Sequence, residues 1–145
     1  MTNFDNAINT ENEQSASLSV LVIDDECAIR EAIGDILDLI DINVISAANG
    51  KEGVELFTRC HSKISMVLLD MQMPVMSGEE TYRRLRELDA SIPIILSSGY
   101  GESEARDLWE SGSLTTEKVS FLRKPYAVDA LLELVQAQMA CRFHD

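Results

Sequence analysis

Met66-Val67-Leu68-Leu69-Asp70-Met71-Gln72-Met73-Pro74 is the stretch on which the fold turns. Four apolar residues in a row stop at a carboxylate, and a proline follows shortly after. A run of that length between turn residues is the pattern of a strand buried on both faces of a sheet. Asp70 then stands where the strand leaves the sheet. In open parallel α/β sheets that carboxyl edge is where ligands bind. A lone Asp after a strand is more often only a turn former, and the other strand ends are what change that balance.

Upstream, Leu18 to Ile23 form an apolar strand that ends in Asp24-Asp25-Glu26. The apolar period then becomes helical, through Ile29, Ala32, Ile33, Ile36, Leu37 and Ile40. Asn43 to Ala47 is a short β-branched run. Asn49, with Glu52 three residues on, opens a helix through Val54, Leu56 and Phe57 toward Cys60. Downstream of Asp70, Ser77 and Glu80 have capping-box spacing for a third helix carried by Tyr82, Leu85 and Leu88. Pro93 to Gly99 reads as a fourth buried strand with hydroxyls at its end. Ala105, Leu108 and Trp109 mark a shorter helix, and a polar connection from Ser111 to Lys118 follows. Val119 to Arg123 is a fifth strand that runs into Lys124-Pro125, and Val128, Leu131, Leu132 and Val135 carry the last helix.

Five strands alternating with five helices make one α/β domain with a parallel sheet and right-handed crossovers. The domain is expected over residues 18–140, after a polar, disordered arm at 1–17 and before a short tail at 141–145. A chain of 145 residues with 46% hydrophobic content can bury a proper core. No apolar run approaches the roughly 20 residues of a membrane helix, and the N-terminus lacks the pattern of a signal peptide. A formal charge of −13 argues against a nucleic-acid partner, which needs a basic footprint. The three cysteines, Cys27, Cys60 and Cys141, lack metal-ligand spacing and fall in helical patterns, which favours free thiols in a reducing cytoplasm.

The carboxyl edge collects Asp24 and Asp25 from strand one, Asp70 from strand three, Ser98 from strand four and Lys124 from strand five. Crowded carboxylates repel, and one of them protonates unless a cation compensates. A hard, oxygen-rich cluster suits Mg²⁺, which takes one or two carboxylates and fills its other sites with water and phosphate oxygens. A hydroxyl and an ammonium beside it supply donors to an anion with several oxygens. The inventory fits a phosphoryl group held on or beside a carboxylate. Each residue alone has a structural explanation, as a helix cap or a solvated charge. Five of them arriving together at one edge is hard to attribute to chance.

In these residues the chain resembles the receiver domains of two-component response regulators, from about Leu18 to Ala140. The matching pieces are Val-Ile-Asp24-Asp25-Glu26, the block Leu-Leu-Asp70-Met-Gln-Met-Pro74-Val-Met-Ser-Gly78, Pro93-Ile-Ile-Leu-Ser-Ser98-Gly99 and Phe121-Leu-Arg-Lys124-Pro125. The resemblance implies a flavodoxin-like fold with strand order 2-1-3-4-5 and helices on both faces. It implies that Asp70 accepts a phosphoryl group from the phosphohistidine of a histidine kinase or histidine phosphotransfer domain. Mg²⁺ is then bound by Asp70, by Asp25 directly, by Asp24 through water and by the Gln72 main-chain carbonyl. Ser98 resembles the switch hydroxyl, Lys124 the phosphate-binding lysine and Phe121 the switch aromatic. A cis bond at Lys124-Pro125 is implied as well. The Leu-Ser-Ser-Gly-Tyr100 segment is similar to receivers fused to hybrid sensor histidine kinases.

Two alternatives stay open at this level. A phosphatase of the haloacid-dehalogenase type also places an Asp nucleophile after a strand, but it wants a second Asp where this chain has Gln72. A degenerate receiver that only binds a partner would not need all of Asp24, Asp25, Asp70, Ser98 and Lys124. The chain also departs from the commoner receiver pattern. Ser98 stands in place of Thr, Phe121 has no phenol hydroxyl, and the connection Ser111 to Lys118 is long and polar.

Overall fold

A computed structural model describes residues 19–73, 75–98, 119–125 and 127–144. The elements in chain order are β1 (Ser19–Ile23), α1 (Cys27–Asp38), β2 (Asn43–Ala47) and α2 (Gly50–Cys60). After a single 3₁₀ turn at His61–Lys63 come β3 (Ile64–Asp70), α3 (Gly78–Leu88), β4 (Ile94–Ser98), β5 (Val119–Arg123) and α4 (Val128–His144). All strand pairs are parallel, in the order β2-β1-β3-β4-β5. That is the order the resemblance implied. The expected helix at Ala105 to Trp109, the polar connection and the N-terminal arm lie outside the described residues. Helix α4 continues through 141–144, the stretch read from sequence as a tail.

The strands sort by depth as their composition dictates. Every residue of β1, β3 and β4 is buried, which is why those segments are near-continuous apolar runs. The edge strands β2 and β5 are only partly covered. Strand side chains alternate between the two faces of the sheet, so the interior divides in two. Leu21, Ile23, Val67, Leu69 and Leu96 pack with Phe57 of α2 and with Tyr82 and Leu85 of α3. Val20, Val22, Met66, Leu68 and Ile95 pack on the other side with Ile33 and Leu37 of α1 and with Leu131 and Val135 of α4.

Helix starts follow the local chemistry. Asn49 Oδ1 accepts the Glu52 N–H at 2.8 Å, while Glu52 reaches back to the Ala48 N–H at 2.6 Å, so α2 has a reciprocal cap. At α3 only half of the expected box forms. Ser77 Oγ accepts the Glu80 N–H at 3.1 Å, but the Glu80 carboxylate turns forward to Arg84, also at 3.1 Å. An arginine one turn along outcompetes a single backbone donor for that carboxylate. Cys27 is exposed, Cys60 is half-buried, and both are free thiols.

Candidate functional site

Register determines what meets at the carboxyl edge of the sheet. Ile23 pairs with Leu69, so Asp24 follows β1 at the level where Asp70 ends β3. Asp70 pairs across to Ser97, and Ser98 pairs with Arg123, which brings Lys124 one step past the end of β5. The Lys124 N–H donates to the Ser98 carbonyl at 3.0 Å, and the Lys124-Pro125 bond is cis, as the resemblance implied.

Asp24 and Asp70 are each 2% exposed. Each divides its two oxygens in the same way. Oδ1 of Asp24 accepts the Glu26 N–H at 2.9 Å, and Oδ1 of Asp70 accepts the Gln72 N–H at 3.0 Å. The two Oδ2 atoms face Lys124 Nζ, at 2.9 Å for Asp24 and 3.3 Å for Asp70. These are compact side-chain turns that Asp forms readily after a strand. Their effect is to lock both carboxylates and aim one oxygen of each at a common ammonium. Asp25 is exposed at the mouth, and one oxygen from each of Asp24, Asp25 and Asp70 falls within 4.8 Å of the other two.

The electrostatics are unbalanced, because three carboxylates face one lysine. Burial pushes the Asp70 carboxyl up to about 6; the Gln72 N–H pulls it down, Asp24 adds to the rise and Lys124 opposes it. For Lys124 burial acts downward, but the hydrogen bond to Asp24 and the charges of Asp70 and Asp24 outweigh it, so its pKa is raised. The ammonium therefore stays charged. Asp70 is a carboxylate whose ionisation its burial disfavours.

Ser98 is buried at the end of β4, one residue beyond the pair formed by Asp70 and Ser97. Phe121 is half-buried, level with Leu96, and packs on the side of the sheet that carries α2 and α3. Gln72 holds Asp70 through its N–H. The sequence pattern missed two contributors. Arg30 donates to the Asp24 carbonyl at 2.8 Å, and Glu26 lies 3.9 Å from Lys124 Nζ. A cation one and a half turns beyond the acidic pair, on the helix that this pair opens, was the available signal for Arg30. An apolar groove of about 550 Å³ starts at Glu26, Lys124 and Pro125 and runs along α1 past Ile29, Ala32 and Ile36.

Comparison with known proteins agrees with this geometry. The family model described as "Response regulator receiver domain" matches residues 20–136. The autoinducer 1 sensor kinase/phosphatase LuxN of Vibrio campbellii is 35% identical over 115 residues, which is 79% of this chain and 13% of that protein. Sporulation initiation phosphotransferase F of Bacillus subtilis is 29% identical over 118 residues, 81% of this chain and 90% of that protein. The response regulator TrrA of Thermotoga maritima, solved in complex with Mg²⁺ and BeF, superposes with a TM-score of 0.70 at 29% identity, over 83% of this chain and 97% of that one. With the family model covering most of its length on a matching sheet, the chain belongs to the response regulator receiver domains, the phosphoacceptor signalling modules of two-component systems.

Proposed function

We propose that Asp70 is the phosphoacceptor of this receiver, taking its phosphoryl group from the phosphohistidine of a histidine kinase or phosphotransfer domain. The observation that carries this reading is the buried Asp70 carboxylate, with Oδ2 3.3 Å from Lys124 Nζ and two further carboxylates within 4.8 Å. Attack by an Asp70 oxygen forms an O–P bond as the N–P bond to imidazole breaks. The departing nitrogen is left to take up a proton on the donor. Phosphoryl transfer has a loose transition state, so the protein contributes mainly position and charge neutralisation. Lys124 already touches Asp70 Oδ2 and is aimed to neutralise an oxygen of the incoming group. Asp24 holds Lys124 there.

The donor set fits Mg²⁺. It is all oxygen, it carries excess negative charge, and one member, Asp25, is open to solvent where waters and phosphate oxygens must complete an octahedron. Asp24, Asp25, Asp70 and the Gln72 carbonyl are the proposed ligands, with Asp24 acting through water. Bound there, the ion would offset charge on the phosphoryl oxygens. Ser98 is the proposed switch hydroxyl and Phe121 the ring that responds when it moves. A contact made mainly in the phosphorylated form is the kind that shifts a two-state equilibrium.

The groove along α1 supports a donor that seats apolar helix surface on Ile29, Ala32 and Ile36 while its histidine reaches Asp70. The phosphatase alternative is not favoured. Gln72 offers no general acid, and the chain's own phosphorylation and dephosphorylation are the chemistry it carries. The proposed setting is the cytoplasm, with no nucleic-acid or membrane partner. Among the described residues no helix is long and apolar enough to cross a membrane.

Incubation with Mg²⁺ and acetyl phosphate, followed by intact-mass analysis, tests the assignment. The wild type is expected to gain one phosphoryl group, and Asp70→Asn and chelated wild type none. An undiminished adduct in Asp70→Asn would overturn it.

A further inference from the structure

Helix α3 starts just after the chain has left Asp70, and two glycines set how closely its first turn is held. A Cβ added to Gly78 would lie 2.5 Å from the Met71 Cα and 2.8 Å from the Met71 carbonyl oxygen. Those are backbone atoms of the residue bonded to Asp70, and they have no rotamer to escape into. From the opposite side, a Cβ added to Gly50 at the start of α2 would overlap Thr81 Oγ1 and lie 3.1 Å from the Met76 Cβ. Thr81 has no easy way out, because it is fully buried and its hydroxyl donates to the Ser77 carbonyl at 2.8 Å.

Between these contacts Val75 has φ 74° and is 78% exposed. A β-branched residue in the left-handed region costs on the order of 1–3 kcal/mol, and such strain persists only where the surroundings impose it. An exposed valine recovers little by packing. The constraint therefore comes from the neighbours, and the close approaches at Gly50 and Gly78 bear on the two ends of this segment.

We propose that Gly50 and Gly78 are positioning residues for the phosphoacceptor. They clamp the start of α3 against α2 and against the Met71 backbone. The segment leaving Asp70 is thereby fixed, including the Gln72 N–H that holds Asp70 Oδ1. This rests on Asp70 and Gln72 forming the metal and phosphoryl site, as proposed above.

The test is calorimetric titration with Mg²⁺ and labelling by acetyl phosphate. It uses wild type, Gly50→Ala, Gly78→Ala, Thr81→Ala, the two doubles with Thr81→Ala, and Leu85→Ala as a core control. Gly50→Ala and Gly78→Ala are each expected to weaken Mg²⁺ binding by about tenfold, the scale seen when groups that orient metal ligands are disturbed. Thr81→Ala removes the hydroxyl that the methyl introduced by Gly50→Ala would strike. Gly50→Ala/Thr81→Ala is therefore expected to bind within about twofold of Thr81→Ala. Gly78→Ala/Thr81→Ala gains no such relief. Leu85→Ala lowers the melting temperature but keeps wild-type affinity. Normal affinity in folded Gly50→Ala and Gly78→Ala, no rescue by Thr81→Ala, or equal loss in Leu85→Ala would each overturn the clamp. Where Gly50→Ala does not fold, the double decides: it must fold and bind like Thr81→Ala, and its failure overturns the proposal. A wild type that takes neither Mg²⁺ nor label is a different result. It removes the reading of Asp70 itself, and the clamp with it.

Discussion

Even with Lys124 beside it, Asp70 carries a charge the fold does not want. Its carboxyl is raised from 3.8 to about 6, so the folded state binds this proton more tightly than the unfolded chain does. The sign of the linkage follows: the contribution to stability is fully present below the unfolded value and is lost as pH rises through about 6. In chelator at pH 7.5, Asp70→Asn should therefore stabilise the protein, by up to about 3 kcal/mol, since each tenfold change in proton affinity is worth about 1.4 kcal/mol. Urea titrations of both proteins at pH 7.5 and near pH 4.5 check this. The advantage of Asn should shrink at the lower pH, where Asp70 is protonated, and an advantage independent of pH would point to packing instead of charge. Sequence alone reveals that Asp24, Asp70 and Lys124 converge, because each follows an apolar run at the same end of a parallel sheet. It does not reveal the division of oxygens between local N–H groups and Lys124, since that depends on turn geometry within two residues of each carboxylate. Gly50 is illegible for a similar reason. Its partner Thr81 lies on another helix, and only the packed fold brings them together.

Among the elements, α1 has two duties. Ile33 and Leu37 are buried in the core beneath it, whereas Ile29 is only half-buried and lines the groove that leads from Lys124. Ile29→Asp is expected to cut phosphotransfer from a histidine kinase or phosphotransfer domain by about tenfold, the equivalent of about 1.4 kcal/mol. Labelling by acetyl phosphate should stay near wild type, because that small donor needs no docking. Kinetics with both donors, read beside the melting temperature, separate the possibilities; early melting with equal loss for both donors would make Ile29 simply core. At α2 the reciprocal cap is worth removing as well. Asn49→Ala should cost about 1 kcal/mol in urea unfolding. The Asn49 cap and its partner Glu52 could be recognised from spacing. The failure of Glu80 to complete the matching cap on α3 could not, because Arg84 competes for the same carboxylate and spacing does not rank the two.

For the whole molecule, the sheet divides the interior into two packed halves. Leu37 of α1 belongs to one and Leu85 of α3 to the other. Each truncation to Ala should cost about 2–5 kcal/mol, and the double should cost the sum to within about 0.5 kcal/mol, since the two share no cluster. Urea unfolding of the four proteins checks this, and a coupling above about 1 kcal/mol would mean that the halves communicate. Their separation also bears on traffic through the domain. The groove along α1 opens on one side of the sheet, while Phe121 packs on the other. Asp70 is at the rim between them. A donor seated along α1, as proposed above, leaves the α2 and α3 side of the sheet untouched, so the message can be written on one side of the page and read on the other.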